Sequence, residues 1–501
     1  MRSGAPRRWR LAGCAAAVAL AAASWGAGSL PTLHTRVLWP GLAWQAPTGG
    51  SPLLATVSVA AMAVLVLAWW RLRDAAVTAR WWQQTSLAWF VPLVASAPLY
   101  SRDLYSYAAQ GALWHAGLSP YEHGVRDLAS DWRGSTAPTW LDSPAPYGPV
   151  WLLLARGAAA ASGGNLVVAL GLLRVVAVLG VVVLVVAVPW LARRLGVVDP
   201  SRATWLAVAV PLVGAHLVSG AHNDALMVAG VLGGLVLALR RRFALACVVL
   251  SLAAMVKVTA VVVVPFVALL WAADHAASSR GASVRWRDLV RAGSLCLVAT
   301  ALPTMALGLS TGLGFGWLNP AATSGRNEQW TSLPTALGMA VGAIGHVLGT
   351  DGWRDPGIAV MRGLGLGVLL VVLVLLWLTT ARWAGDPARV VRAAGLALLA
   401  VVVLAPAFLG WYYLWVLPVL AVCVDPDRHR RTVTWIAVAA AVLCFAQLPD
   451  GYSLGLTTTA VGVPLAVVAT GLLVRAGWRW ARRTDWRALA LREERHADAG
   501  T

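Results

Sequence analysis

Residues 166–191 read LVVALGLLRVVAVLGVVVLVVAVPWL, a run dominated by Leu, Val, Ala and Gly. A helix needs roughly 20 apolar residues to cross the hydrocarbon core of a bilayer, and this run has them. Similar runs recur along the chain, near 11–30, 52–70, 84–99, 203–218, 224–239, 243–256, 258–272, 292–309, 358–380, 393–409, 411–424, 432–448 and 455–474. Mean hydropathy is +0.70, and 12% of the 501 residues are charged. That composition excludes a soluble globular chain. The runs do not alternate with period two, which excludes a membrane barrel. The reading is an all-α, polytopic transmembrane helical bundle of about 13–14 membrane helices, with external juxtamembrane helices. No long polar linker divides it. Residues 1–475 therefore read as one membrane domain and 476–501 as a basic cytoplasmic tail.

The net charge of +19 would suggest a nucleic-acid partner if it were spread over a surface. It is not. With the arginines at 2, 7, 8 and 10 placed in the cytoplasm, most of the 40 basic residues fall in cytoplasmic segments, among them Arg71, Arg73, Arg193, Arg194, Arg240, Arg241, Arg242 and Arg382. This is the positive-inside distribution. It orients the chain and implies no nucleic acid. Residues 148–162 are apolar but short, with Arg156 in the middle, and an arginine at the bilayer centre is disfavoured. They read as an interfacial helix on the outer face. The five cysteines lie in apolar runs without metal spacing and behave as small apolar residues.

Two long outer segments remain, about 100–165 and 310–357. Both are rich in Trp, Tyr, Pro, Gly and acids, including Trp114, Tyr121, Asp131, Trp140 and Tyr147 in the first and Trp317, Arg326, Glu328, Trp330 and Asp355 in the second. Aromatic rings beside carboxylates and amides suit sugars, whose C–H faces stack while their hydroxyls take directed hydrogen bonds. An aromatic belt at the headgroup level accounts for the same tryptophans.

Within these segments a few residues stand out. Arg102-Asp103 opens the stretch Arg102-Asp103-Leu104-Tyr105-Ser106-Tyr107-Ala108-Ala109-Gln110-Gly111 at the edge of an apolar run. A carboxylate there either pairs with Arg102 as a surface ion pair or takes a proton from a substrate hydroxyl. Tyr105, Tyr107 and Gln110 add polar groups at the same boundary. Lys257 is the single lysine of the chain. It either snorkels to the interface or meets an anion, and a phosphate fits. His222-Asn223-Asp224 lies in a turn between two runs, where Asn223 or Asp224 can cap the next helix. Trp411-Tyr412-Tyr413 forms another outer turn.

These stretches, with Gly117-Leu118-Ser119-Pro120-Tyr121, Ser143-Pro144-Ala145-Pro146-Tyr147-Gly148-Pro149 and His222-Asn223-Asp224-Ala225-Leu226-Met227, resemble the actinobacterial polyprenol-phosphomannose-dependent alpha-1,6-mannosyltransferases. These are integral membrane glycosyltransferases of the GT-C class. The resemblance spans roughly 80–420 and includes Lys257-Val258-Thr259 and Trp411-Tyr412. It implies transfer of mannose from a polyprenyl-phosphate-mannose donor to a lipid-anchored mannan acceptor on the outer face of the cell membrane, in the synthesis of lipomannan and lipoarabinomannan cores. It places Asp103 where the class carries its acidic residue in the first large external loop. In that class the loop usually follows the first span of the core; here it follows the third, so two extra N-terminal helices are implied.

The combined expectation has Asp103 as catalytic base. Arg102, Lys257 and Arg326 meet the donor phosphate. Tyr105, Tyr107, Gln110, Tyr147, His222, Asn223, Asp224, Trp411 and Tyr412 meet the substrates. No metal ligands are assigned and no cofactor is expected, although the outer carboxylates leave a divalent metal open. A polytopic transporter or lipid-linked sugar flippase is the competing reading. Transporters usually show internal repeats and interrupted helices at the midplane, and the sequence displays no convincing repeat.

Overall fold

The computed structural model describes residues 5–29, 51–280, 283–319, 328–425, 429–451 and 459–483. Among them there are helices and loops and no strand, so the all-α bundle is borne out. Among the described residues seven helices are long and apolar enough to cross a membrane: Ala5–Ala27, Pro52–Arg71, Leu166–Leu195, Val258–Ser279, Trp286–Ser310, Asp351–Ala381 and Pro387–Leu404. Their ends follow local rules. Ser51 caps Pro52–Arg71 and Asn165 caps Leu166–Leu195 through side-chain oxygens, and Gly196 ends the latter helix in the left-handed region.

Of the 13–14 apolar runs, seven thus form full-length helices among the described residues, or eight if the bent pair Val213–Ser219 and Asp224–Leu239 is taken as one span. Several of the other apolar runs fold as shorter pieces. The run 84–99 becomes Ala79–Val94, then breaks into a loop through Ser96 and Pro98. The run 243–256 holds only the helix Phe243–Ala254, and 411–424 only Gly410–Tyr412 and Tyr413–Ala421. The run 203–218 is not one helix. Pro200–Ala207 ends before Pro211, and Val213–Ser219 winds as a π-helix. That turn and Asp224–Leu239 then meet at 108° across a short break. Hydropathy averaged over a window registers apolarity but not direction, so it cannot report such a corner.

The outer segments also differ from expectation. Residues 310–357 are not only loop: Leu333–Val347 is an apolar helix packed on Arg354–Ala381 and on Thr459–Arg483. Residues 148–162 form the helix Pro149–Ala161, about 20 Å long at 1.5 Å per residue, well short of the ~30 Å core. Arg156 there lies 4.7 Å from the Trp114 ring. This helix packs along Asp103–His115 because Gly111 has no side chain; a Cβ there would come within 2.2 Å of the Ala155 carbonyl oxygen. All five cysteines carry free thiols. Arg326 and most of the basic tail lie outside the described residues.

Candidate active site

Asp103 begins the helix Asp103–His115 and is 8% exposed. The chain reaches it through Tyr100, whose φ of 64° is left-handed, a conformation that costs a non-glycine residue about 1–2 kcal/mol. The Tyr100 N–H donates to the Pro449 carbonyl at 3.0 Å, and the Asp103 N–H donates to Ser101 Oγ at 3.0 Å. The expected pairing with Arg102 is not the one formed. Among the described residues the side chain that Asp103 meets is His222, with Nδ1 at 3.4 Å from Oδ2.

His222 sits in the break between Val213–Ser219 and Asp224–Leu239, next to Ala221, also left-handed at φ 47°. Two left-handed non-glycine residues thus flank one carboxylate–imidazole contact. Strain of this kind gathers at functional sites. His222 is fully buried and stacks on Trp411 with ring centroids 3.9 Å apart. Tyr107 Oη donates to Asn223 Oδ1 at 3.4 Å, and its ring meets Tyr147 edge-on at 5.3 Å. Burial, and after it nearby negative charge including that of Asp103, push the Tyr107 and Tyr147 phenols well above their ordinary pKa, so both stay neutral hydroxyls.

The second charge comes from Lys257. It is brought in by Gly148, where a Cβ would stand 2.5 Å from the Met255 carbonyl oxygen. Only glycine lets these backbones meet, and that contact sets Tyr147 beside Lys257. The ammonium lies 2.7 Å from Asp224 Oδ1, 4.6 Å from the Tyr412 ring and 4.9 Å from the Trp415 ring. Trp415 Nε1 donates to the same Asp224 oxygen. Asp224 Oδ2 is buried without a hydrogen-bond partner among the described residues. Asn223 occupies the N-cap position but makes no side-chain cap, so the capping reading of this triplet does not describe it.

Asp103 and Lys257 line one cavity of ≈ 150 Å³, with Trp140, Tyr147, Tyr412 and Trp415. Ala405, Pro406, Ala407 and Leu409, from the segment that follows the helix Pro387–Leu404, form another wall. Hydroxyls hold that wall: Thr331 donates to the Phe408 carbonyl at 3.0 Å, Ser332 to Ala405 at 2.9 Å and Thr335 to Pro406 at 2.7 Å. Thr335 in turn accepts from Arg362 Nε at 2.9 Å.

Other expected site residues stand elsewhere. His222, Asn223, Asp224, Tyr107 and Trp411 form a layer behind the cavity wall and do not line it. Tyr105 is buried and donates to the Ser29 carbonyl at 2.7 Å, fastening the N-terminal helix. Gln110 is buried on the same helix as Asp103 and is not in the lining. Nor is Arg102. Trp415 was not singled out from the sequence, although its place four residues after Trp411 and three after Tyr412 is a helical-face signal. Its ring stacks on Tyr412 at 4.0 Å.

The arrangement places a carboxylate and a lysine in the lining of one aromatic cavity. Gly148→Ala is expected to undo it. Overpacking against Met255 should cost about 1–3 kcal/mol and displace Tyr147 from Lys257. A lower melting temperature and at least a tenfold loss of activity are expected. A variant with wild-type melting and activity would show that the close approach is dispensable.

The interrupted pair at 213–239 is a feature that a transporter would also use. Here its break supports the cavity that holds Asp103, and the comparisons with known proteins point to transfer. Residues 10–273 match the family model described as alpha-(1->6)-mannopyranosyltransferase, N-terminal domain, and 334–475 match the MptB C-terminal domain. The chain is 32% identical to alpha-(1->6)-mannopyranosyltransferase A of Mycobacterium tuberculosis, over 89% of this chain and 85% of that protein. It is 30% identical to a probable alpha-(1->6)-mannopyranosyltransferase of Mycolicibacterium smegmatis, over 96% and 89%. It is 29% identical to alpha-(1->6)-mannopyranosyltransferase B of Corynebacterium glutamicum, over 95% and 82%. With matches that cover nearly its whole length, an all-α membrane architecture and a cavity lined by both a carboxylate and a lysine, the chain belongs to the alpha-(1->6)-mannopyranosyltransferase family and is a mannosyl glycosyltransferase.

Proposed function

We propose that this mannosyltransferase moves mannose from a polyprenyl-phosphate carrier to the 6-hydroxyl of a lipid-anchored mannan, at the outer face of the plasma membrane, in building the core of lipomannan and lipoarabinomannan. The observation that carries this reading is that Asp103 and Lys257 line the same aromatic cavity. In this reading the acceptor oxygen attacks the anomeric carbon and its proton passes to Asp103. The C–O bond to phosphate breaks with its electron pair on the leaving phosphate. Lys257 meets that growing charge, an electrostatic contribution made in the transition state. One displacement turns a beta-linked donor into an alpha product. Tyr147, Tyr412, Trp415 and Trp140 offer faces for the sugar rings. Arg102 is no longer assigned to the phosphate, since it does not line the cavity. We also take the reaction to run on side chains alone, because Lys257 does the work that a divalent cation would otherwise do.

The test uses the purified chain in liposomes, offered labelled mannose either as polyprenyl-phosphate-mannose or as a sugar nucleotide, with excess chelator present. Use of the lipid-linked donor alone, undiminished by the chelator, is expected. Use of the sugar nucleotide, or loss of transfer with the chelator and its return with added metal, would overturn the corresponding part of the reading.

A further inference from the structure

Arg174 is the single charged side chain between Leu166 and Ala192 of the helix Leu166–Leu195. An arginine within a span is disfavoured by about 2.5–3.5 kcal/mol even on the mildest scale, and such residues ordinarily find strong partners. This one finds backbone. One terminal guanidinium nitrogen donates to the carbonyls of Val94 at 3.0 Å and Ser96 at 2.6 Å; the other donates to the carbonyl of Ser219 at 2.9 Å. Val94 is the last residue of its helix, where unsatisfied carbonyls present partial negative charge.

The three carbonyls belong to two segments. Val94 and Ser96 precede the strained turn at Tyr100 that delivers Asp103. Ser219 ends the π-helix, three residues before His222. The same segments touch directly: Ser96 Oγ and Ser219 Oγ are 2.7 Å apart, and Ser219 Oγ donates to the Ala97 carbonyl at 3.2 Å. Arg174 thus forks across the joint between the strand of chain that carries Asp103 and the corner that carries His222. A planar fork suits this role as a point charge does not.

We propose that Arg174 is a positioning residue that fixes the Asp103–His222 contact, and with it the direction in which the Asp103 carboxylate meets the acceptor hydroxyl. The proposal rests on Asp103 serving as the base. Arg174 does not line the cavity, and the Lys257 wall hangs on other elements. Its loss therefore acts on the rate and not on donor affinity.

The test compares Arg174→Met and Arg174→Lys with wild type, as purified folded protein in liposomes. In Arg174→Met kcat should fall about 100-fold, the effect of a displacement of roughly 1 Å at a reacting group. KM for polyprenyl-phosphate-mannose should stay within about twofold. Arg174→Lys should recover part of kcat. A second readout needs no activity: in protein labelled with ¹⁵N-histidine, with His222→Gln to assign the signal, the His222 Nδ1 resonance should move in Arg174→Met. Lower melting with unchanged kcat per folded molecule would overturn the proposal, as would a raised KM at constant kcat. If wild type itself transfers nothing, the proposed function fails. The resonance still reads the contact, and an unmoved signal would then overturn this inference separately. Should Arg174→Met not insert, Arg174→Lys carries the same comparison, with a fall in kcat of about tenfold expected.

Discussion

Asp103→Asn is expected to lower mannosyl transfer by about 10²–10⁴-fold, the range supplied by a positioned general base, while the protein folds, inserts and binds donor as before. The substitution keeps size and shape. The amide still offers His222 Nδ1 an oxygen in place of Oδ2, and the backbone N–H bond to Ser101 Oγ is untouched. What disappears is the charge and the proton affinity of a carboxylate at the cavity wall. The measurement is kcat at saturating donor with equal folded protein, beside direct donor binding. A rate within threefold of wild type would remove Asp103 from the chemistry. A large fall in donor binding at full kcat would recast it as a binding residue.

Lys257 carries the second large expectation, and here structure and catalysis must be separated. Among the described residues, Lys257→Met leaves Asp224 buried with neither oxygen ion-paired, since Oδ2 already has no hydrogen-bond partner there and Oδ1 keeps Trp415. Breaking a buried pair on one side destabilises by about 3–5 kcal/mol. The single variant should therefore melt lower as well as lose activity. Adding Asp224→Asn removes the orphaned charge. The double variant should regain most of the melting temperature, yet remain about 10²–10³-fold slower, as expected when a charge aimed at a developing anion is lost. Recovery of transfer together with stability would show that Lys257 acts only as a counter-ion for Asp224.

Much of this site was legible in the sequence, and the reasons are particular. Asp103 and Lys257 stand out because charges are rare in so apolar a chain, and membrane burial makes each one expensive. The all-α class followed from run length alone. Pairing was not legible. The near neighbour Arg102 is the obvious partner of Asp103, but the helix that begins at Asp103 does not bring the two together, and the distant His222 arrives through the corner at 220–223. Lys257 was expected to meet an anion, but the anion in the structure is Asp224, thirty-three residues upstream. Nor was the number of full-length spans legible. Proline, a π-turn and a 108° corner divide apolar runs without changing their hydropathy. Arg174 escaped notice because one arginine in a long apolar run looks like a tolerated exception until its three carbonyl partners are seen.

The most direct measurement is the linkage made by the purified chain from labelled polyprenyl-phosphate-mannose and a short alpha-1,6-mannoside, read by NMR of the product. The account predicts an acceptor longer by one mannose, joined to a 6-hydroxyl with alpha configuration. A beta linkage, a bond to another hydroxyl, or no transfer by folded protein that binds both substrates would contradict it.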